Sequence, residues 1–297
     1  MLVLEFITAK QILSQRTYNE NWFGTNYNMN IYKGCSHGCI YCDSRSECYG
    51  IKDFSLVRGK ENAIEILTNE LKSKRKKGVI ATGSMSDPYN PLEREGKLTR
   101  KALEIINLYG FGVAIATKSD LIVRDIDILK NIKKHSPVIA KVTITAAEDE
   151  LSKKVEPNVA SSSKRFRAVS ELSENGIFSG ILLMPVLPFI QDNDENILRI
   201  IEKAAESGAK FIYPYFGVTL RQGQREFFYE RLNEKFSGIK DKYVKEYGFS
   251  YQCNSIRNKE LWKLFKEGCN RKGILYKMPD IIKAYRTEYE EEQLSFF

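Results

Sequence analysis

No stretch of this 297-residue chain approaches the roughly 18 consecutive apolar residues that a membrane helix needs. The longest apolar run, 180–190, is short and holds Pro185 and Pro188, so it reads as a buried strand and its exit. The opening MLVLEFITAK has neither a basic leader nor a small-residue cleavage site. No secretion signal is therefore expected, and the cytoplasm is the expected compartment. Internal repeats and low-complexity linkers are also missing. So is a disulfide framework: of six cysteines, Cys35, Cys39 and Cys42 fall within eight residues, and Cys48, Cys253 and Cys269 are scattered. In a reducing compartment such a triplet reads as metal-binding, and the scattered three offer no motif for a second centre.

What is present is an ordinary globular composition, with 42% hydrophobic and 28% charged residues. The length suits one large α/β barrel or two small domains. The net charge of +8 permits a polyanionic partner such as nucleic acid. A lysine-rich solvated surface would give the same figure.

Short β-rich runs alternate with helical stretches. Strands are predicted at 27–32, 79–82, 112–117, 138–145, 177–184 and 211–216. Helices are predicted at 60–75, at 98–108 with Thr99 as N-cap and Gly110 as stop, at 161–174, and at 194–207. One more, capped by Ser119 or Asp120, carries Ile122, Ile126 and Leu129. Such alternation implies right-handed βαβ units and a parallel sheet. Six units fit a partial (β/α)6 TIM-like barrel over residues 1–220, although a doubly wound sheet shares the pattern. Residues 221–288 read as a mostly helical extension, and 289–297 as an acidic tail.

In parallel barrels chemistry gathers at the C-terminal strand ends. There this sequence places the cysteine loop, Thr82-Gly83-Ser84-Met85-Ser86-Asp87, Thr117-Lys118-Ser119, Thr143 and Thr145, and Tyr213, Tyr215 and Arg221. The cysteine loop reads Tyr32-Lys33-Gly34-Cys35-Ser36-His37-Gly38-Cys39-Ile40-Tyr41-Cys42. Three thiolates at these spacings can wrap one face of an iron–sulfur cube and leave the fourth iron open. The alternative is a zinc site completed by His37 or Cys48, although zinc ligands usually arrive as separated pairs.

Cys-x3-Cys-x2-Cys with an aromatic before the last cysteine resembles the signature of the radical S-adenosylmethionine (SAM) superfamily. The resemblance implies a [4Fe–4S] cluster on Cys35, Cys39 and Cys42, with SAM chelating the open iron. Reductive cleavage of SAM would give a 5′-deoxyadenosyl radical that abstracts a substrate hydrogen. It also implies an electron donor such as a flavodoxin or ferredoxin. Further segments narrow the match: GSMSDPYNPLE (83–93), ATKSD (116–120), EPNVASSSKRFRAV (156–169) and LMPVLPFIQDN (183–193). In this order they resemble the spore photoproduct lyase branch, also described as DNA repair photolyase-like. By that resemblance Tyr41 lies on the adenine side of SAM, and Ser86 and Asp87 lie near its amino group. Lys118 reaches its carboxylate, and Thr145 lies near the ribose. Glu156 and Arg165 read as a structural ion pair.

The chain departs from the lyases in two places. They carry a cysteine two residues before the Ser-Asp pair, which returns a hydrogen atom to the product radical. Here Ser84 stands there, and its O–H bond is too strong for that task, so dimer splitting by that route is not expected. Cys48 is the other nearby thiol and reads as a packed one. The stretch Asp43-Ser44-Arg45-Ser46 also replaces the aromatic that follows the third cysteine in the lyases.

The tail ends in Gln293-Leu294-Ser295-Phe296-Phe297. It either packs on the barrel or acts as a short motif. It resembles the pentapeptide with which bacterial replication and repair proteins bind the sliding clamp, with Gln293, Leu294, Phe296 and Phe297 as anchors. The combined expectation is a radical SAM enzyme acting on nucleic acid, DNA in particular. The rival readings are radical SAM chemistry on RNA, a peptide or a small molecule, and a non-catalytic iron–sulfur or zinc protein.

Overall fold

The computed structural model of the chain describes residues 5–15 and 22–294, with side chains through residue 289. Its central sheet has seven strands: β1 (Leu13–Gln15), β2 (Tyr27–Met29), β3 (Val79–Thr82), β4 (Gly112–Thr117), β5 (Val138–Thr143), β6 (Phe178–Leu183) and β7 (Phe211–Pro214). They lie side by side in chain order. β1 runs antiparallel to β2, and β2 through β7 are parallel throughout. Parallel neighbours in chain order mean that every crossover winds the same way round. A doubly wound sheet would instead reverse at a switch point. The two end strands, β1 and β7, are not paired with each other, so the sheet is a partial (β/α)6 barrel.

The sequence pattern explains both layers. On α1 (Ala63–Ser73), α2 (Leu98–Leu108), α3 (Ile126–Lys133), α4 (Ser162–Glu174) and α5 (Asp194–Glu206), apolar residues recur every three or four positions. Leu67 and Leu71, Leu103 and Ile106, and Ile197 and Ile201 are examples. They pack with Ile80, Val113, Ile115, Val142 and Ile181, the outward residues of the strands. The alternate strand residues Val79, Ala114, Ile139, Leu182 and Phe211 face inward.

Past residue 220 come α6 (Gln224–Lys235), α7 (Ile239–Tyr247), α8 (Asn258–Lys272) and α9 (Met278–Leu294). This part is mostly helical, and it belongs to the same core. Ile281 and Tyr285 of α9 join Phe23, Phe211 and the inward strand residues, and α8 packs on α5. A bridge from Phe211 to Leu275 adds to the sheet edge at β7.

Some local expectations shift. The first barrel strand stops at Met29, and Tyr32–Lys33 pairs instead with Arg58–Lys60 in a separate small sheet. There the chain leaves the barrel wall to build the cysteine loop. β5 and β7 likewise end two residues earlier than the sequence pattern suggests. Thr99 is not a cap: it sits inside α2, where its hydroxyl donates to the carbonyl of Pro88. Ser119 is a cap, accepting the Leu121 N–H at 3.3 Å ahead of a 3₁₀ stretch, Asp120–Asp125. Among the described residues no helix is long and apolar enough to cross a membrane. The anchors Phe296 and Phe297, and the side chains of Gln293 and Leu294, lie outside what the structure describes.

Candidate active site

A cavity of about 330 Å³ opens at the C-terminal ends of the strands. Cys35, Cys39 and Cys42 line one side of it. Ser86, Asp87, Thr117 and Lys118 line another, and Thr143, Met184, Tyr215 and Thr219 complete it.

The cysteine loop is shaped by glycine and held by backbone. Gly34 has φ +81°, and a Cβ there would stand 2.2 Å from the Leu56 carbonyl oxygen, so only glycine allows the turn. Cys35 N–H donates to Phe54 O at 2.7 Å, and Ile40 N–H to Val155 O at 3.0 Å. The Asn158 amide donates to Ser36 O at 3.0 Å, and Gln224 on α6 reaches Tyr41 O at 2.9 Å. Three separate segments, around residues 54, 155–158 and 224, therefore fix the loop.

Tyr41 sits between two of the cysteines in sequence, and its hydroxyl donates to the carboxylate of Glu156. Glu156 pairs with Arg165 at 2.7 Å, and both side chains are buried. Arg165 also donates to Thr143 O at 2.7 Å and Ser152 Oγ at 2.6 Å. Burial, reinforced by the Glu156 charge, raises the Tyr41 phenol well above its usual range, so it stays a neutral donor. The Glu-Pro…Arg segment is a strut from α4 to the cysteine loop.

Ser86 and Asp87 do line the cavity, but their bonds run to the protein. Ser86 Oγ donates to Gly34 O. Asp87 accepts from Tyr89 N–H at 2.9 Å, Thr117 Oγ1 at 2.7 Å and Lys118 N–H at 2.7 Å, and it stands 3.5 Å from His37 Nδ1. Burial pulls the His37 pKa down, but Asp87 and Cys35 outweigh it and raise the pKa on balance. Asp87 thus clamps the ends of β3 and β4 to the cysteine loop. Gly83 allows the close strand approach, since at φ +91° a Cβ would lie 2.0 Å from Ala116 O.

The Lys118 ammonium lies 5.7 Å from the centre of the Tyr41 ring. Burial lowers its pKa, but Cys39, Glu156, Asp87 and Cys42 raise it further, so it remains a cation. It is a positive charge at the wall of a small cavity beside the thiols.

Thr145 is not brought to this site. It is fully buried, its hydroxyl accepts from Gln191 Nε2 at 2.9 Å, and its carbonyl accepts from Asn196 at 3.0 Å. Thr143 takes the wall position instead. Ser84 lines the cavity and donates to Asn28 at 3.1 Å. Cys48 is exposed, not packed, and lies outside the cavity lining. Tyr215 was named from the sequence among the strand-end residues, whereas Met184, Thr219 and Gln224 were not singled out. They come from separate elements, and no spacing links them to the cysteine loop.

The radical SAM superfamily model matches residues 29–201, from the last residue of β2 through the whole cysteine loop and β3 to β6. The chain belongs to the radical SAM superfamily. An uncharacterized protein of Methanocaldococcus jannaschii is 31% identical over 80% of this chain and 88% of its own length. Uncharacterized mycobacterial proteins are 27% identical over 68% of this chain, which spans about 61% of their length. A radical SAM Nα-GlyT isomerase of Pseudomonas phage M6 is 24% identical over 68% of this chain and 41% of its own length. Among solved structures, a spore photoproduct lyase variant superposes with a TM-score of 0.68 at 13% identity, covering 91% of this chain and 80% of the lyase. At that identity the likeness is one of fold.

Membership of the radical SAM superfamily implies a [4Fe–4S] cluster and SAM, and the residues fit both. All three thiols face one cavity and none is spent on a disulfide. Among the described residues, no three His, Cys, Asp or Glu side chains converge as the ligands of one ion would. Cysteines on different corners of a cluster need no such convergence. Lys118 gives the cavity a fixed cation to face a carboxylate.

Proposed function

We propose that this radical SAM protein holds a [4Fe–4S] cluster on Cys35, Cys39 and Cys42 and cleaves SAM reductively to act on nucleic acid, DNA with a damaged or modified base. The observation that carries the reading is the placement of the three cysteines and the half-buried Lys118 cation on one small cavity. When bound, the cluster and SAM supply an electron and a 5′-deoxyadenosyl radical that takes a hydrogen atom from substrate. The chain's own residues bind and orient. Lys118 takes the SAM carboxylate, and Asp87 and Ser86 keep its strand end against the cysteine loop. Tyr41, braced by Glu156, walls the cavity from water.

The nucleic-acid part draws on the net charge of +8 and on the relatives. One lyase of the same fold has been seen with AdoMet and a dinucleoside spore photoproduct. Ser84 in place of a cysteine argues for a reaction other than the lyases' dimer splitting. We place the enzyme in the cytoplasm, with a flavodoxin or ferredoxin as electron donor and the sliding clamp as a partner of the C-terminal pentapeptide.

The test is 5′-deoxyadenosine release after anaerobic reconstitution with SAM and dithionite, with and without UV-irradiated DNA. Release shows the chemistry, and stimulation by DNA supports the substrate. Release that ignores DNA but responds to RNA, peptide or a small molecule overturns the substrate. No release from protein with a full cluster overturns the enzyme reading.

A further inference from the structure

The cavity rim continues outward along a chain of contacts. Asp43 lines the cavity directly after Cys42. It accepts from the Tyr49 hydroxyl at 2.8 Å and pairs with Arg221 at 3.2 Å. Arg221 donates to the Tyr251 hydroxyl at 3.1 Å and lies 5.0 Å from the centre of that ring. Thr219, also at the cavity, belongs to a strand paired antiparallel with Gln252–Asn254, and Leu220 N–H donates to Tyr251 O at 2.9 Å. The C-terminal end of loop 248–251 thus adjoins the strand that carries the cavity residue Thr219. At its tip Phe249 is 96% exposed, and Tyr251 beside it is 44% exposed.

A single exposed aromatic is by itself ordinary. What sets Phe249 apart is how firmly its loop is held. Arg225 is buried, and its guanidinium donates to the carbonyls of Leu220 at 2.8 Å, Gly248 at 3.0 Å, Phe249 at 3.2 Å and Ser250 at 2.7 Å. Burying a guanidinium on neutral carbonyls is costly, and here it fixes the loop that presents a bare phenyl ring to water. An aromatic held in place loses little freedom on stacking.

We propose that Phe249 and Tyr251, with Arg221, form a ledge on which unpaired bases of a single-stranded nucleic acid stack as the strand enters the cavity. The inference rests on the nucleic-acid reading above and names its form. Single-strand sites combine cations that follow the backbone with aromatics that stack on bases, and a duplex hides the base faces the ledge would take. Half-exposed Arg221 supplies the cation, and the chain's excess of positive charge suits a polyanion. A protein partner would instead call for a continuous apolar patch, whereas the ledge alternates rings with charged and polar groups.

The test uses the full chain with its cluster reconstituted and short fluorescent oligonucleotides: single-stranded DNA, single-stranded RNA and duplex DNA. A 2-aminopurine in the single strand reports stacking through quenching. Wild type is expected to bind the single strands more tightly than the duplex and to quench the probe. Phe249→Ala should weaken binding about ten- to hundredfold, the loss of one stacked base, and abolish quenching. Phe249→Trp should restore both, with thermal melting confirming that each variant is folded. If Phe249→Ala binds and quenches as wild type does, the ledge is wrong while the nucleic-acid reading stands. If wild type binds none of the oligonucleotides, both fail together. If Phe249→Ala leaves oligonucleotide binding intact but slows cluster reduction by a flavodoxin, the surface serves a protein and the ledge is overturned.

Discussion

Arg165 and Glu156 meet at 2.7 Å with neither side chain in water, and the far oxygen of Glu156 takes the hydroxyl of Tyr41. A helix behind the sheet is thereby joined to the residue between Cys39 and Cys42. The pair is structural in position, but its effect is on the site.

Removing one partner leaves the other charge buried and alone. Arg165→Met is expected to destabilise the fold by about 3–5 kcal/mol in urea denaturation. Tyr41→Phe, which takes one donor from the buried Glu156 carboxylate and leaves the ion pair in place, should cost less, about 1.5–3 kcal/mol. Equal losses would show that Glu156 is held by something other than Arg165.

Gly34→Ala places a methyl group against the Leu56 carbonyl in a left-handed turn. The loop must open to admit it, so iron content and visible absorption after reconstitution should fall to a small fraction of wild type. The barrel, which the loop does not build, should keep its far-UV dichroism. Full iron loading in Gly34→Ala would contradict the fixed loop.

Lys118→Met removes the cation from the cavity wall. SAM affinity is expected to drop roughly ten- to hundredfold, as for one charge-assisted hydrogen bond, with iron content unchanged. Equilibrium dialysis with labelled SAM reads the first quantity and metal analysis the second. Unchanged affinity would take the carboxylate role away from Lys118.

Thr145→Val should behave in the opposite way. The buried Gln191 amide loses its partner, so stability should fall by about 1–3 kcal/mol while SAM affinity stays as it was. A loss of SAM affinity at wild-type stability would return Thr145 to the site.

Deleting residues 293–297 is expected to abolish binding to the sliding clamp in a pull-down with purified clamp. Undiminished binding by the truncated chain would sink that role for the pentapeptide.

The cysteine loop was legible in the sequence because its three cysteines lie within eight residues, where spacing fixes geometry. The strand–helix alternation was legible because periods of two and of three to four are local. Lys118 and Asp87 could be named from motifs, but not what Asp87 does. Its partners Tyr89, Thr117, Lys118 and His37 come from three loops that meet only once the strands are side by side. The choice between Thr143 and Thr145 was equally hidden. The two share the parity of one strand, but the strand ends at Thr143 and Gln191 captures the later hydroxyl. For the last helix the sequence reading offered only a mostly helical extension, and Ile281 and Tyr285 fill the barrel beside Phe23 and Phe211 through contacts no local pattern shows. Spacing along the chain determined the chemistry this protein carries. Which surfaces met in the fold decided the walls around it, because a side chain's distant partners depend on packing that no local period encodes.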